Sequence, residues 1–130
     1  METPQTGYQV QSYQGPVKRY CQTLDLRNSP ELIAEYRKRH SQAEMRPEIM
    51  AGIRQVGILE MEIYILGTRL FMIVETPLDF DWNTAMAQLS TLPRQEEWEE
   101  YMSVFQQAEP GMSSAEKWKP MERMFHLYNV

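Results

Sequence analysis

A chain of 130 residues, 42% hydrophobic and 24% charged, has the size of one ordinary domain and can bury a core without disulfide or metal staples. Thirteen basic against 18 acidic residues give a net charge of −5, with no basic patch denser than the stretch 37–40, which argues against nucleic-acid binding. No apolar run approaches the roughly 20 residues of a membrane span. The N-terminus lacks a secretory pattern, and the lone Cys21 cannot close an internal disulfide, so a cytoplasmic protein is expected.

Residues 1–16 are rich in Gln, Gly, Thr and Pro and almost free of aliphatics, which reads as a flexible tail; residues 17–130 read as one domain. Lys18–Leu26 mixes β-branched, aromatic and aliphatic residues over strand length. Ser29 and Pro30 then open a helix as N-cap and first helical residue, with Leu32, Ile33, Tyr36 and His40 on one face. Pro47 restarts a shorter helix that Gly57 closes. The segments 58–66 and 69–75 read as strands of a hairpin turning at Gly67–Thr68. Asp79 or Asp81 caps a helix bearing Trp82, Ala85, Met86 and Leu89, and Pro93 breaks it. A further helix puts Trp98, Tyr101, Met102 and Phe105 together. Residues 109–120 look loop-like, and the alternation over Met121–Tyr128 predicts a last strand.

The order β-α-β-β-α-β is the ferredoxin-like α+β arrangement, an antiparallel sheet with helices on one face. The strands carry apolar residues on both faces. Face-to-face pairing of two sheets would bury the uncovered one, so a C2 homodimer is expected.

Neither His40 nor His126 belongs to a metal-binding spacing, so no metal is expected. No glycine-rich phosphate loop and no nucleophile elbow occur. Acid–base chemistry remains. Tyr36 and His40, four residues apart on a helix, project together; they form either a proton-transfer pair or the packed end of a helix. Glu60 and Glu62 share one strand face, which is either solvated or, under a dimer, part of a cavity. Trp98 reads as core or as a stacking platform, and Trp118, in a loop, as a cover over something.

These segments resemble one family. EYRKRH with Tyr36 and His40, the PEI of residues 47–49, Gly57, EIY at 62–64, RLFMIVE at 69–75, WEEYM at 98–102 and RMFHL at 123–127 follow, in order, the motifs of L-rhamnose mutarotases. The resemblance implies a dimeric α/β barrel of ferredoxin-like subunits, an isomerase of carbohydrate metabolism with no cofactor, and a monosaccharide substrate. It implies His40 as proton donor and Tyr36 as a sugar ligand. Two family aromatics fall at Met61 and Glu99, so those positions line the substrate site with altered chemistry, while Trp98 is kept as a stacking residue. KRYCQTLDL and MEIY resemble a subgroup associated with L-fucose. The expected reaction is α/β anomer exchange of a 6-deoxy-L-hexose, L-rhamnose or L-fucose, with His40 as acid and Glu62 as complementary base. The rivals are a non-catalytic small-ligand-binding protein on the same scaffold and a cofactor-free monooxygenase.

Overall fold

The structure, a computed structural model, describes residues 1–107, 112 and 114–128. Strands β1 (Val17–Asp25), β2 (Glu60–Leu66), β3 (Arg69–Pro77) and β4 (Lys119–Pro120) form one antiparallel sheet in the order β2-β3-β1-β4. Helices α1 (Pro30–Arg39), α2 (Pro47–Gln55), α3 (Trp82–Leu89) and α4 (Gln95–Ser103), with the single turn α5 (Ser114–Lys117), complete the α+β fold.

The local signals act where the sequence places them. The Ser29 hydroxyl accepts from the Leu32 amide at the start of α1, and the Asp81 carboxylate accepts from the Thr84 amide at the start of α3. Pro30 and Pro47 stand in the first turns of α1 and α2, where a missing N–H leaves no bond unmade. Leu66 pairs with Arg69, so the hairpin loop is Gly67–Thr68, with Gly67 at a φ of +61°.

Strand alternation divides the sheet into two chemically distinct faces. Leu24, Leu70, Met72 and Val74 are buried on the face that meets the helices, where they join Leu26, Tyr36, Ile49, Trp98, Met102 and Phe105 in one core. Met61, Ile63 and Ile65 pack against the same core. The opposite face carries Arg19, Glu60, Glu62, Tyr64 and Glu75. Part of the N-terminal segment lies along it. The Tyr13 hydroxyl donates to Glu75, the Gln11 amide donates to Glu60 and to the Leu59 carbonyl, and the Tyr8 ring meets Tyr64 edge-on at 5.7 Å.

The last strand differs from expectation. It is only Lys119–Pro120, opposite Gln22 and Thr23, and residues 121–128 are exposed without regular structure. Alternation makes a strand only where a neighbour offers free backbone groups. Met121 still donates its amide to the Cys21 carbonyl, and beyond it the chain leaves the sheet with Met124 and Phe125 bare. The loop-like stretch before it holds α5; residues 108–111 and 113 lie outside the described residues.

Gly57 follows α2 with a φ of +102°, and a Cβ there would meet the Phe80 ring at 3.6 Å, an ordinary contact. The cost of a side chain is therefore in the backbone. Gly57→Ala is expected to lose about 1–2 kcal/mol, seen as a lower urea midpoint at unchanged slope.

Candidate active site

A cavity of about 80 Å³ lies between the helix layer and the covered face of the sheet, and a wider space of about 330 Å³ shares His40, Met45, Ile53, Met61 and Ile63 with it. Tyr36, His40, Met61, Trp98 and Glu99 all line the smaller cavity, with Gln22, Gln95, Gln106 and Trp118.

The last turn of α1 brings Tyr36 and His40 into contact, with ring centroids 4.3 Å apart. His40 Nδ1 is 2.8 Å from the Tyr36 carbonyl oxygen. A carbonyl only accepts, so Nδ1 carries the proton and Nε2 of the neutral ring holds the free lone pair. Burial pushes the imidazole below its usual pKa, and the bond to the Tyr36 carbonyl opposes this only in part. A neutral ring of this tautomer accepts a proton at Nε2 and can act as the acid of the sequence reading once it has taken one. Stability carries the same sign. The unfolded chain protonates His40 near the ordinary histidine value of 6.5 and the folded chain only below it. The unfolded state thus binds more protons in that window, and stability falls as pH drops through it. His40→Gln is expected to flatten the fall in urea midpoint between about pH 7 and 5.

Tyr36 is buried, and desolvation raises its hydroxyl to a pKa of about 12, against the opposing influence of a hydrogen bond from Gln106. It therefore remains a hydroxyl and a donor. The Trp98 ring stands edge-on to His40 at 5.4 Å, and the Arg46 guanidinium lies 5.5 Å from the Trp98 and Tyr101 ring centres. Glu99, one residue on, accepts from the Gln95 amide at 2.9 Å and pairs with Lys117 Nζ at 3.2 Å. Lys117 is wholly buried, and its ammonium also reaches the Glu99 carbonyl and the Ser103 hydroxyl.

Glu62 is not in this cavity. The strand pleat that turns Met61 toward the helices turns Glu62 to the opposite face, where its carboxylate accepts from the Tyr64 hydroxyl at 3.2 Å. It lines neither of the two spaces that His40 lines; Glu99 lines the smaller cavity and Glu60 the wider space. Sequence reading missed the three glutamines. Gln22 stands between Tyr20 and Leu24 on the covered face of β1, and Gln95 precedes Trp98 and Met102 by one and two helical turns. A polar residue within an apolar stripe is the signal that marks both. Among the described residues no group of three or more His, Cys, Asp or Glu is placed to hold a metal.

Residues 19–127 match the profile of L-rhamnose mutarotases. The chain belongs to the L-rhamnose mutarotase family. An L-fucose mutarotase of Xanthomonas campestris pv. campestris is 39% identical over 111 residues, covering 85% of this chain and 89% of its own. A UPF0734 protein of Dictyostelium discoideum is 38% identical over 114 residues, covering 85% and 90%. The crystal structure of an L-rhamnose mutarotase from Formosa agariphila shares the fold, with a TM-score of 0.63 over 85% of this chain and 99% of that one at 20% identity. The cavity residues of α1, β2 and α4 lie within the segment that matches this family, and most of the N-terminal segment lies before it.

Proposed function

We propose that this protein interconverts the α and β anomers of a 6-deoxy-L-hexose, L-rhamnose or L-fucose, by acid–base catalysis at His40. The observation that carries the proposal is a neutral imidazole with its Nε2 lone pair free, beside a tyrosine hydroxyl, in one cavity of a mutarotase-family chain.

Ring opening breaks the C1–O5 bond and moves one proton from the anomeric hydroxyl to the ring oxygen. His40 takes that proton and, as imidazolium, delivers it to the ring oxygen; rotation about C1–C2 and the reverse transfer give the other anomer. Tyr36 donates a hydrogen bond to the sugar, Trp98 offers its ring to a C–H face, Met61 shapes the wall, and Glu99 accepts from a hydroxyl. No cofactor takes part. The chemistry needs no second carboxylate, which leaves Glu62 outside it.

The test follows the anomeric NMR signals of L-rhamnose, L-fucose and D-galactose with and without protein. Faster exchange with no oxygen uptake and no net product supports a mutarotase; its absence favours the ligand-binding or monooxygenase alternatives. Glu99 is a charged acceptor where the resemblance places an aromatic, and hydroxyl orientation is what separates the two deoxysugars. L-Fucose is therefore the competitor to L-rhamnose that the side chains favour. The swap that tests it is Glu99→Trp with Lys117→Met, because Glu99→Trp alone strands the buried ammonium.

A homodimer belongs to the same proposal. The helix-free sheet face, overlain only by part of the N-terminal segment, and the bare apolar side chains of residues 121–128 support it, and sedimentation at micromolar concentration should give about twice the monomer mass. No helix among the described residues is long and apolar enough to cross a membrane, and the proposed site of action is the cytoplasm.

A further inference from the structure

Gln106 has no role in the scheme above, and its surroundings are those of a ligand-binding group. Its backbone is fixed on both sides. Residue 106 forms a bridge with Leu26 at the end of β1, the Arg27 amide donates to the Phe105 carbonyl, and the Gln107 amide donates to the Asp25 carbonyl. The Gln107 side chain adds a further bond to the Leu26 carbonyl at 2.9 Å. A side chain on a backbone held this way is pre-organised, so a ligand that meets it orders little.

The side chain is 3% exposed and lines the cavity with Tyr36 and His40. Its amide serves the Tyr36 hydroxyl as donor, while its Oε1 is buried without a hydrogen-bond partner among the described residues. Buried carbonyl oxygens are almost always satisfied, and one left bare in a cavity wall marks the place of a missing donor. Tyr36, accepting from Gln106, keeps its own proton to give. The pair thus presents one donor and one acceptor side by side. A hydroxyl, which can accept and donate at once, complements both.

We infer that Gln106 and Tyr36 together bind one ring hydroxyl of the sugar, Tyr36 donating to its oxygen and Gln106 Oε1 accepting its proton, which makes Gln106 a specificity-determining residue. The inference rests on the sugar-site reading but not on the catalysis. A hydroxyl of the other orientation at that carbon, or a hydrogen in its place, leaves Oε1 bare again, and the site discriminates against it.

The test is equilibrium binding of L-fucose and L-rhamnose to the full chain and to Gln106→Met, with anomer exchange followed in parallel. The 2-, 3- and 4-deoxy analogues of the tighter sugar are then titrated against both. Gln106→Met is expected to weaken binding by about tenfold or more, and one deoxy analogue to bind the native chain weaker by a similar factor. That analogue's penalty should shrink to about threefold or less in the variant, because the hydroxyl and its acceptor act as a pair. The analogue series on the native chain stands even where the variant fails to fold: an equal affinity for all three analogues overturns the inference. So does a variant that binds within twofold of native, or an analogue penalty equal in both proteins. Weakened binding of a sugar whose anomers the native chain does not interconvert would retain Gln106 and sink the mutarotase reading. Unchanged binding with fast exchange would do the reverse, and a native chain that binds neither sugar overturns both.

Discussion

Replacing His40 with alanine is expected to lower the anomer-exchange rate by at least about tenfold, a conservative floor against the roughly 10²–10⁴-fold that positioned acid–base groups contribute. In the proposed scheme both proton transfers run through Nε2, and Tyr36 beside it is held as a hydroxyl and cannot stand in as a base at neutral pH. The fold should survive, since the ring gives one hydrogen bond to the Tyr36 carbonyl and packs on Tyr36 and Trp98 at the end of a helix. Saturation-transfer NMR on the preferred sugar measures the rate, and circular dichroism checks the fold. Added imidazole should restore part of the rate in the alanine variant, which a purely structural loss would not permit. An exchange rate within twofold of native in a folded variant would move the proton path to another group.

The second large effect is on stability, and it is asymmetric. Lys117 has 0% side-chain exposure and Glu99 22%. Removing the carboxylate leaves a buried ammonium with, among the described residues, the Glu99 carbonyl and the Ser103 hydroxyl as its remaining partners. Removing the ammonium leaves a carboxylate that water reaches and that Gln95 still serves. Glu99→Leu should therefore cost about 3–5 kcal/mol, the usual penalty for stranding a buried charge. Lys117→Met should cost about 1–3 kcal/mol, the scale of a charged hydrogen bond lost. Combining them should recover stability relative to Glu99→Leu, because the double variant buries no charge. Urea unfolding of the three variants measures this. Equal losses for the two single changes would mean that Lys117 finds water on release, and the pair would then carry no obligation between the two positions.

The elements with local signals were legible in the sequence, and those that depend on distant partners were not. Ser29, Pro30, Gly67 and Asp81 mark their caps and turn by chemistry confined to a few residues, and each acts as read. The Met121–Tyr128 alternation has the same local quality, but a strand forms only where the chain stays beside a neighbour's edge, and here it pairs with Gln22 and Thr23 and leaves β1 after Met121. Tyr36 and His40 were found because an i, i+4 pair on a helix shares a face whatever surrounds it. Met61 and Glu62 show the limit. Adjacent strand residues point to opposite faces, so both could not enter one cavity. Which of them does depends on the side the helices cover, and that is a tertiary fact. Gln106 and Lys117 gave no signal, because a lone glutamine and a lone lysine in polar stretches read as surface until burial is known.

The strap of residues 8–13 on the open sheet face has a consequence for assembly. Any chain that docks on that face competes with a segment tethered to it, and a short flexible tether holds its end at an effective concentration in the millimolar range. A micromolar partner must displace Tyr13 from Glu75 and Gln11 from Glu60 against that local excess. Association through this face is then governed by how tightly the chain holds its own beginning, and cutting away residues 1–16 should raise the affinity between copies without touching a single residue of the cavity.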